Sequence, residues 1–307
     1  MIYTCSKSLE DKKEYNGKIN YNNLKELLEI VSENDTIYLL DESYYGKFYF
    51  KTKNLTVIGL DTYSKLTYDV SHGDIIRECD GGDGVKVYGT TGSSSVTIKP
   101  QALNIRFENV IFENSYKRVL GKRSGQAVAL KSEADNGKYI NCKFISCQDT
   151  LYLEGNNNII DNSYIEGDVD FIFGSGDNVI SNSEIGLLKV LESEVYICAP
   201  STYLWNKYGL LFINDKFISL GNNKKYLGRG YYPSGAIGPV KPRCMFLNCD
   251  IPADVELKLI TMHEKDPKNY IYYYSNCKYN GEIKANYDDI GLDEYYITYY
   301  NSLKSGV

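Results

Sequence analysis

The amino-acid sequence predicts an all-β solenoid, a parallel β-helix with an N-terminal capping helix. Two observations predict the solenoid: a short asparagine-centred motif recurs along the chain, and each copy alternates apolar and polar residues as a strand does. A third observation, an apolar stripe at helical spacing ahead of the first repeat, predicts the cap.

The recurring motif places an apolar residue on each side of an asparagine, as in FENVIF and YINCKF. Asparagine enters left-handed backbone conformations at little cost, so it suits a corner between two strands. One such unit every 20 to 34 residues is typical of a solenoid, whereas a β-sandwich with coincidental asparagines is the alternative. The seven motif asparagines are Asn109, Asn141, Asn162, Asn182, Asn214, Asn248 and Asn276.

The segment 21–34 reads YNNLKELLEIVSEN and has Leu24, Leu27, Leu28 and Val31 on one helical face. The open end of a solenoid exposes apolar core and unpaired backbone. We therefore expect this helix to cap the N-terminal end.

Charge and hydropathy exclude two classes of partner. The net charge is −6 and no basic block gathers enough lysine and arginine for nucleic acid. The sequence contains no stretch of 18 apolar residues that could span a membrane. We expect neither a nucleic-acid nor a membrane partner.

The N-terminal segment MIYTCSKSLEDKKEYNGK lacks the apolar core of a signal peptide. This pattern predicts a cytoplasmic protein, or a secreted one if a leader has been removed. The eight cysteines are dispersed and include no C-x-x-C, which favours buried free thiols over a disulfide framework.

Two single aspartates lie in strand-like apolar sequence, Asp149 in CQDTLYLEG and Asp170 in GDVDFIFG. Their separation of 21 residues equals that of Asn141 and Asn162, so each lies eight residues past its corner. Equivalent positions on successive turns stack about 4.8 Å apart. The spacing predicts adjacent carboxyl groups, one with a raised pKa and one that stays low, unless both are solvated surface aspartates.

Three further polar residues are candidates for the same site. Gln126 and Gln148 precede β-like runs and could donate hydrogen bonds to an oxyanion, while Arg229 could hold an ionised carboxylate. No G-x-S-x-G motif occurs, which argues against a serine–histidine hydrolase, and no cluster has metal-ligand spacing, so residue spacing predicts no metal site.

Four segments in order, SGQAVAL, CQDTLYLEG, GDVDFIFG and YLGRGYYP, resemble the signature segments of pectin methylesterases. GTTGSSSVTI resembles the bacterial branch of that family. The resemblance runs from about residue 17 to 285 and implies a right-handed single-stranded parallel β-helix. It implies a single domain over 1–307, with a C-terminal tail from about 286 to 307 that we expect on the outside.

The resemblance also implies roles for the polar residues. Asp170 would be the nucleophile on the methyl-ester carbonyl, and Asp149 first the general acid toward methanol and then the general base for water. Gln126 and Gln148 would stabilise the oxyanion, and Arg229 would keep Asp170 ionised. The resemblance implies no metal and no cofactor.

The residues matching the sugar-binding cleft of the family are Thr90, Tyr152, Val169, Phe173, Tyr231 and Met262. Tyr231 stands where the family motif L-G-R-P-W has tryptophan, since this chain reads Leu-Gly-Arg-Gly-Tyr over 227–231. A tyrosine can still stack on sugar with less area.

The implied function is hydrolysis of galacturonate methyl esters in pectin or oligogalacturonides by a monomer. A glycoside hydrolase or pectate lyase on the same fold is one alternative, because paired carboxylates also cleave sugars. A non-catalytic carbohydrate-binding β-helix is another. Because the chain is acidic, we expect it to prefer highly esterified or short substrates.

Overall fold

The computed structural model describes residues 1–118, 125–190, 193–233, 239–262, 269–287 and 290–305. The elements of the first part are β1 (Ile2–Cys5), β2 (Glu14–Tyr15), β3 (Lys18–Tyr21), α1 (Leu24–Ile30), β4 (Thr36–Leu39), β5 (Ser43–Tyr45), β6 (Phe48–Phe50), β7 (Thr56–Ile58), β8 (Ser64–Tyr68), β9 (Val96–Ile98), β10 (Arg106–Glu108) and β11 (Val110–Asn114). Short 3₁₀ turns cover Glu78–Asp80 and Thr91–Ser93.

The middle of the chain forms short strands at regular spacing. They are β12 (Leu130–Ser132), β13 (Lys138–Ile140), β14 (Lys143–Ile145), β15 (Leu151–Leu153), β16 (Asn158–Asp161), β17 (Tyr164–Gly167), β18 (Val169–Gly174), β19 (Asn178–Ser181), β20 (Glu184–Leu187) and β21 (Val195–Pro200). The remaining elements are β22 (Leu210–Ile213), β23 (Lys216–Ser219), β24 (Lys225–Gly230), β25 (Arg243–Leu247), β26 (Asp250–Ile251), β27 (Val255–Thr261), β28 (Ile271–Ser275), β29 (Cys277–Tyr279), β30 (Glu282–Lys284) and α2 (Ile290–Ser305).

The strands stack into three sheets, and each solenoid turn from β4 to β27 contributes one strand to each sheet. Sheet A has the order β2-β3-β1-β4-β7-β10-β13-β16-β19-β22-β25-β28, sheet B runs from β5 to β30, and sheet C has the order β6-β9-β12-β15-β18-β21-β24-β27. Among the described residues the pairings between these strands are parallel except β2–β3 and β29–β30, at the two ends. This is the predicted parallel β-helix.

The seven predicted corner asparagines all have a left-handed backbone, with φ between 48° and 58°. They lie between a strand of sheet A and the next strand of sheet B, as Asn109 does between β10 and β11. Their side chains also bond between turns: Asn141 Nδ2 donates to Asn109 Oδ1 at 2.7 Å, and Asn276 Nδ2 to Asn248 Oδ1 at 2.7 Å. The asparagine ladder is confirmed.

A second ladder of left-handed asparagines, which the sequence analysis did not find, marks the corner before sheet A. It includes Asn34, Asn54 and Asn104, with φ of 66°, 55° and 57°. Asn54 Nδ2 donates to Asn34 Oδ1 at 3.1 Å, and Asn104 Nδ2 to Asn54 Oδ1 at 2.9 Å.

Inside the solenoid, equivalent apolar residues of successive turns stack on each other. Phe107 and Tyr139 stack with ring centroids 5.7 Å apart, and Phe212 and Phe246 at 4.6 Å, with interplanar angles of 2° and 3°. The registers Phe107↔Tyr139 and Phe212↔Phe246 place each pair at matching strand positions. Large aromatic rings therefore hold the register as well as fill the core.

The predicted N-terminal helix is present as α1, shorter than the segment 21–34. The Asn23 side chain caps it by accepting from the Lys25 N–H at 2.9 Å. Leu24, Leu27 and Leu28 are buried in the main core, and α1 contacts β6, the outermost strand of sheet C. The closing of this end of the solenoid by α1 stays a prediction.

The C-terminal tail forms α2, which packs on the outer face of sheet A, although residues 288–289 and 306–307 lie outside the described residues. Tyr296, Tyr299 and Tyr300 are buried there, and the Tyr299 hydroxyl donates to the Asp177 carbonyl at 2.8 Å. Tyr208 stacks on Tyr299 with centroids 3.8 Å apart. The clustered tyrosines thus attach the tail.

The eight cysteines all lie in the described part of the chain and carry free thiols. Six are buried, Cys147 is half-buried and Cys79 is exposed, which agrees with the predicted free thiols apart from the exposure of Cys79. Neither helix within the described ranges has the length and apolar character needed to cross a membrane.

Candidate active site

A cleft of about 300 Å³ lies on the strands of sheet C and their flanking loops. It contains all five predicted polar residues: Gln126, Gln148, Asp149, Asp170 and Arg229. The other lining residues are Thr90, Thr91, Tyr152, Phe173, Ser175, Ala199, Ser201, Tyr203, Tyr231, Pro233 and Met262.

The two aspartates occupy equivalent positions on successive turns, as predicted. β15 pairs with β18 in the register Leu151↔Ile172, which keeps the 21-residue offset, and the Asp149 N–H donates to the Val169 carbonyl at 3.1 Å. Both residues are buried, at 8% and 6% exposure. The alternative of two solvated surface aspartates is therefore wrong.

Both aspartates have a left-handed backbone, with φ of 61° at Asp149 and 52° at Asp170. At Asp170 the cause is a bulge: Val169 pairs with Tyr196 but Ile172 with Cys198, so β18 has one extra residue. A bulge redirects a side chain out of the strand alternation. This lets a carboxyl reach the cleft from a strand whose neighbouring residues are buried.

Arg229, on β24, forms a two-pronged ion pair with Asp170. Its Nε donates to Oδ1 at 2.7 Å and its Nη2 to Oδ2 at 2.6 Å. The guanidinium also lies over the Tyr196 ring, 4.3 Å from its centroid. Bidentate pairing and stacking fix the position of Asp170 and favour its negatively charged form.

Burial raises the pKa of Asp149 well above its ordinary value, and the neighbouring Asp170 charge raises it further, against an opposing effect of Arg229. Burial also raises the pKa of Asp170, where the hydrogen bonds and charge of Arg229 act in the opposite direction. The prediction that one pKa stays low is wrong, because burial outweighs Arg229. Asp149 is nevertheless the more readily protonated of the two, because only Asp170 accepts hydrogen bonds from Arg229.

The two glutamines lie next to each other on adjacent turns. Gln126 and Gln148 form a parallel bridge, and the Gln148 carbonyl accepts from the Ala127 N–H at 3.0 Å. The Gln148 Oε1 accepts from Arg118 Nη2 at 3.4 Å. With the oxygen end of that amide engaged, its NH₂ end is the one left to donate into the cleft.

Behind Gln148 lies an ion pair that the sequence analysis missed. Arg118 Nη2 donates to Asp168 Oδ1 at 2.8 Å, and the same oxygen accepts from the Val169 N–H at 2.6 Å. Burial raises the pKa of Asp168 to about 6, against the effect of Arg118. No motif marks this pair, because the two residues are 50 positions apart and meet only through the winding of the solenoid.

Five of the six predicted sugar-binding residues line the cleft. Tyr152 and Phe173 stack at 4.4 Å, and Tyr231 packs against the same small cluster. Thr90 Oγ1 lies 3.1 Å from His72 Nδ1, and Met262 lines the cleft as well. The sixth residue, Val169, is 5% exposed within the core and is not among the lining residues, so only its backbone supports the site.

Of the six lining residues that the sequence analysis missed, three come from the end of β21 and the loop after it, within CAPSTYLW: Ala199, Ser201 and Tyr203. Tyr203 is the largest of them. The only signal was two aromatic residues, Tyr203 and Trp205, close together in a loop. Within the described ranges, no group of three or more His, Cys, Asp and Glu side chains is arranged to hold a metal ion.

The fold and the cleft together define a β-helical protein. Its site places a carboxylate that is bound by an arginine next to a second carboxyl group that is more readily protonated. The family model described as pectinesterase matches residues 66–232, which is 167 of the 307 residues. The chain belongs to the pectinesterase family.

Individual relatives agree with this assignment. The chain is 30% identical over 215 residues to a pectinesterase of Ralstonia solanacearum, covering 64% of this chain and 54% of the relative. It is 35% identical over 153 residues to pectinesterase 31 of Arabidopsis thaliana, covering 48% and 44%. The chain thus spans about half the length of these curated relatives.

Among solved structures, the fold is similar to a pectin methylesterase crystallised in complex with a hexasaccharide. The TM-score is 0.80 at 20% identity, covering 95% of this chain and 94% of the other. The predicted fold class, a right-handed single-stranded parallel β-helix, is confirmed.

Proposed function

We propose that this protein hydrolyses methyl esters of galacturonate units in pectin or oligogalacturonides and releases methanol through an aspartyl acyl-enzyme. The observation that carries the proposal is the buried pair Asp149 and Asp170, of which only Asp170 is clamped by Arg229. One carboxylate is thereby held ionised and oriented, and its neighbour is disposed to hold a proton.

In the first step an Asp170 oxygen attacks the ester carbonyl carbon, and the negative charge moves to the carbonyl oxygen. Amide NH₂ groups of Gln126 and Gln148 stabilise that oxyanion without adding charge to the site. When the C–O bond to the methoxy group breaks, Asp149 donates its proton and methanol leaves. The product is an anhydride between Asp170 and the galacturonate carboxyl.

In the second step Asp149, now a carboxylate, takes a proton from water as the water oxygen attacks the galacturonyl carbon. The anhydride bond breaks, Asp170 returns as a carboxylate held by Arg229, and Asp149 is protonated again. The galacturonic acid product loses its proton to solvent, so the cycle consumes one ester and one water.

The cleft also supports a substrate preference. Asp149, Asp170 and Arg229 are the charged residues among its described lining, and Arg229 is already paired. A free galacturonate carboxylate would find no unpaired cation there, whereas a methyl ester is neutral. Initial rates should be higher on high-ester than on low-ester pectin, and the reverse order would refute this preference.

The deciding experiment compares wild type with Asp170→Asn on methyl-esterified pectin and measures methanol together with chain length. Wild type should release methanol without shortening the chain, and Asp170→Asn should lose that release. Shortened chains would indicate a glycoside hydrolase or lyase instead. No product from wild type, with binding retained, would indicate a non-catalytic carbohydrate-binding protein.

A further inference from the structure

An aromatic pair stands at the edge of the cleft, outside the residues that perform the proposed chemistry. Tyr203 lines the cleft, and Trp205 stacks on it with ring centroids 4.4 Å apart and an interplanar angle of 16°. Trp205 is 59% exposed, although it is the largest apolar side chain in the sequence. A large exposed ring that continues a cleft is typical of a surface that contacts a ligand.

The backbone that carries the two rings is held in place on both sides. Tyr203 forms an antiparallel bridge with Val240, and its carbonyl accepts from the Asn206 N–H at 3.0 Å. Asn206 Nδ2 donates to the Ser175 carbonyl at 2.7 Å, directly after β18, the strand of Asp170. The rings therefore have a defined position relative to the catalytic carboxylates, and little conformational entropy is lost when a ligand binds.

The chemistry of this surface suits an uncharged sugar ring. One face of a pyranose presents C–H bonds of slight positive charge, which are attracted to the electron-rich face of an aromatic ring. Tyr152 and Tyr203 line the same cleft and Trp205 stacks on Tyr203, so the aromatic surface continues from the cleft to Trp205.

We propose that Trp205, supported by Tyr203, is a sugar-binding subsite that stacks on a galacturonate unit next to the one being hydrolysed. This inference rests on the proposed function for the identity of the sugar. The subsite would strengthen the binding of oligosaccharides over monomeric esters, because only a longer chain reaches both the carboxylates and Trp205.

Because Trp205 is the only tryptophan in the sequence, its fluorescence reports on this position alone. The first test titrates Asp170→Asn with a fully methyl-esterified hexagalacturonate and follows tryptophan emission, with calorimetry as an independent measure of binding. The proposal expects a saturable change in emission with the calorimetric Kd. Binding without any emission change, or no binding at all, would overturn it.

The second test measures methanol release by Trp205→Ala from the hexamer and from the monomeric methyl ester. Loss of one stacking contact should raise KM for the hexamer by roughly 3- to 10-fold, mainly in KM rather than kcat, with a smaller effect on the monomer. Trp205→Phe should recover part of the loss. Equal losses on both substrates would indicate a structural role and overturn the proposal.

Tyr295→Ala is the matched control, because Tyr295 is also an exposed ring stacked on a tyrosine, Tyr208, but belongs to α2 and does not line the cleft. It should leave the hexamer KM unchanged. If wild type releases no methanol from either substrate, the proposed function fails, and the emission titration alone decides whether Trp205 binds the sugar.

Discussion

Replacing Arg229 by glutamine should move the acid limb of the pH–rate profile upward. Asp170 is almost buried, and the guanidinium with its two hydrogen bonds of 2.7 and 2.6 Å is what opposes the effect of that burial on its pKa. An opposite charge at this distance lowers a carboxyl pKa by about 1–3 units. Without it, the pKa of Asp170 should rise by that amount, and the ionised nucleophile becomes about tenfold scarcer per unit at acid pH.

The assay is kcat/KM for methanol release from pH 4 to 9. The basic limb should also move upward, but less, because Arg229 lowers the pKa of Asp149 without contacting it directly. Arg229→Lys keeps the charge and should move the acid limb less than Arg229→Gln. Arg106→Gln, which removes a guanidinium paired with Glu108 on sheet A, is the control that should move neither limb. A uniform loss of rate with an unmoved acid limb would refute the reasoning and leave Arg229 a purely positioning role.

Three further predictions concern stability and the oxyanion. The pKa of Asp168 is raised from 3.8 to about 6, so the stability that its protonated form contributes is present below pH 3.8 and is lost as the pH rises through 6. Relative to wild type, the unfolding free energy of Asp168→Asn should therefore rise by about 3 kcal/mol between pH 3 and pH 7. Urea unfolding at several pH values tests this, and a difference independent of pH contradicts it. Asn141→Ala should lower the free energy of unfolding by about 2–4 kcal/mol, because alanine strains the left-handed backbone and the ladder hydrogen bonds are lost. Asn141→Gly should lower it by about 1 kcal/mol less, and equal losses in the two variants would show that the left-handed backbone does not contribute. Gln148→Ala should lower kcat roughly 10²–10³-fold, whereas the exposed Gln101→Ala should not, and a loss confined to KM would exclude an oxyanion role for Gln148.

The spacing of asparagines was sufficient to predict the solenoid, because a strand corner demands a left-handed residue whatever surrounds it. The same spacing predicted that Asp149 and Asp170 are neighbours, since a fixed offset along a helical coil becomes a fixed distance across it. The second asparagine ladder escaped prediction because turns such as Asn54 and Asn104 are separated by a long insertion that hides their repeat.

The orientation of the carboxyl groups could not be predicted from strand alternation. Alternation places Asp170 on the same face as Ile172, which is buried, and the bulge at this point of β18 directs it into the cleft instead. Bulges depend on the pairing with β21, whose length and register the local sequence does not encode. The pKa order of the two aspartates was likewise a matter of burial and of which one Arg229 reaches.

By itself, the sequence determined the solenoid, its corners, the pairing of two aspartates and the set of polar residues around them, because these follow from periodicity and residue chemistry. Only the tertiary structure decided the bulge that directs Asp170, the Arg118–Asp168 pair behind Gln148 and the Tyr203–Trp205 pair at the rim. The physical reason is the same for all three: they depend on how residues from separate turns approach one another, and that distance is set by winding and loop packing rather than by any local pattern.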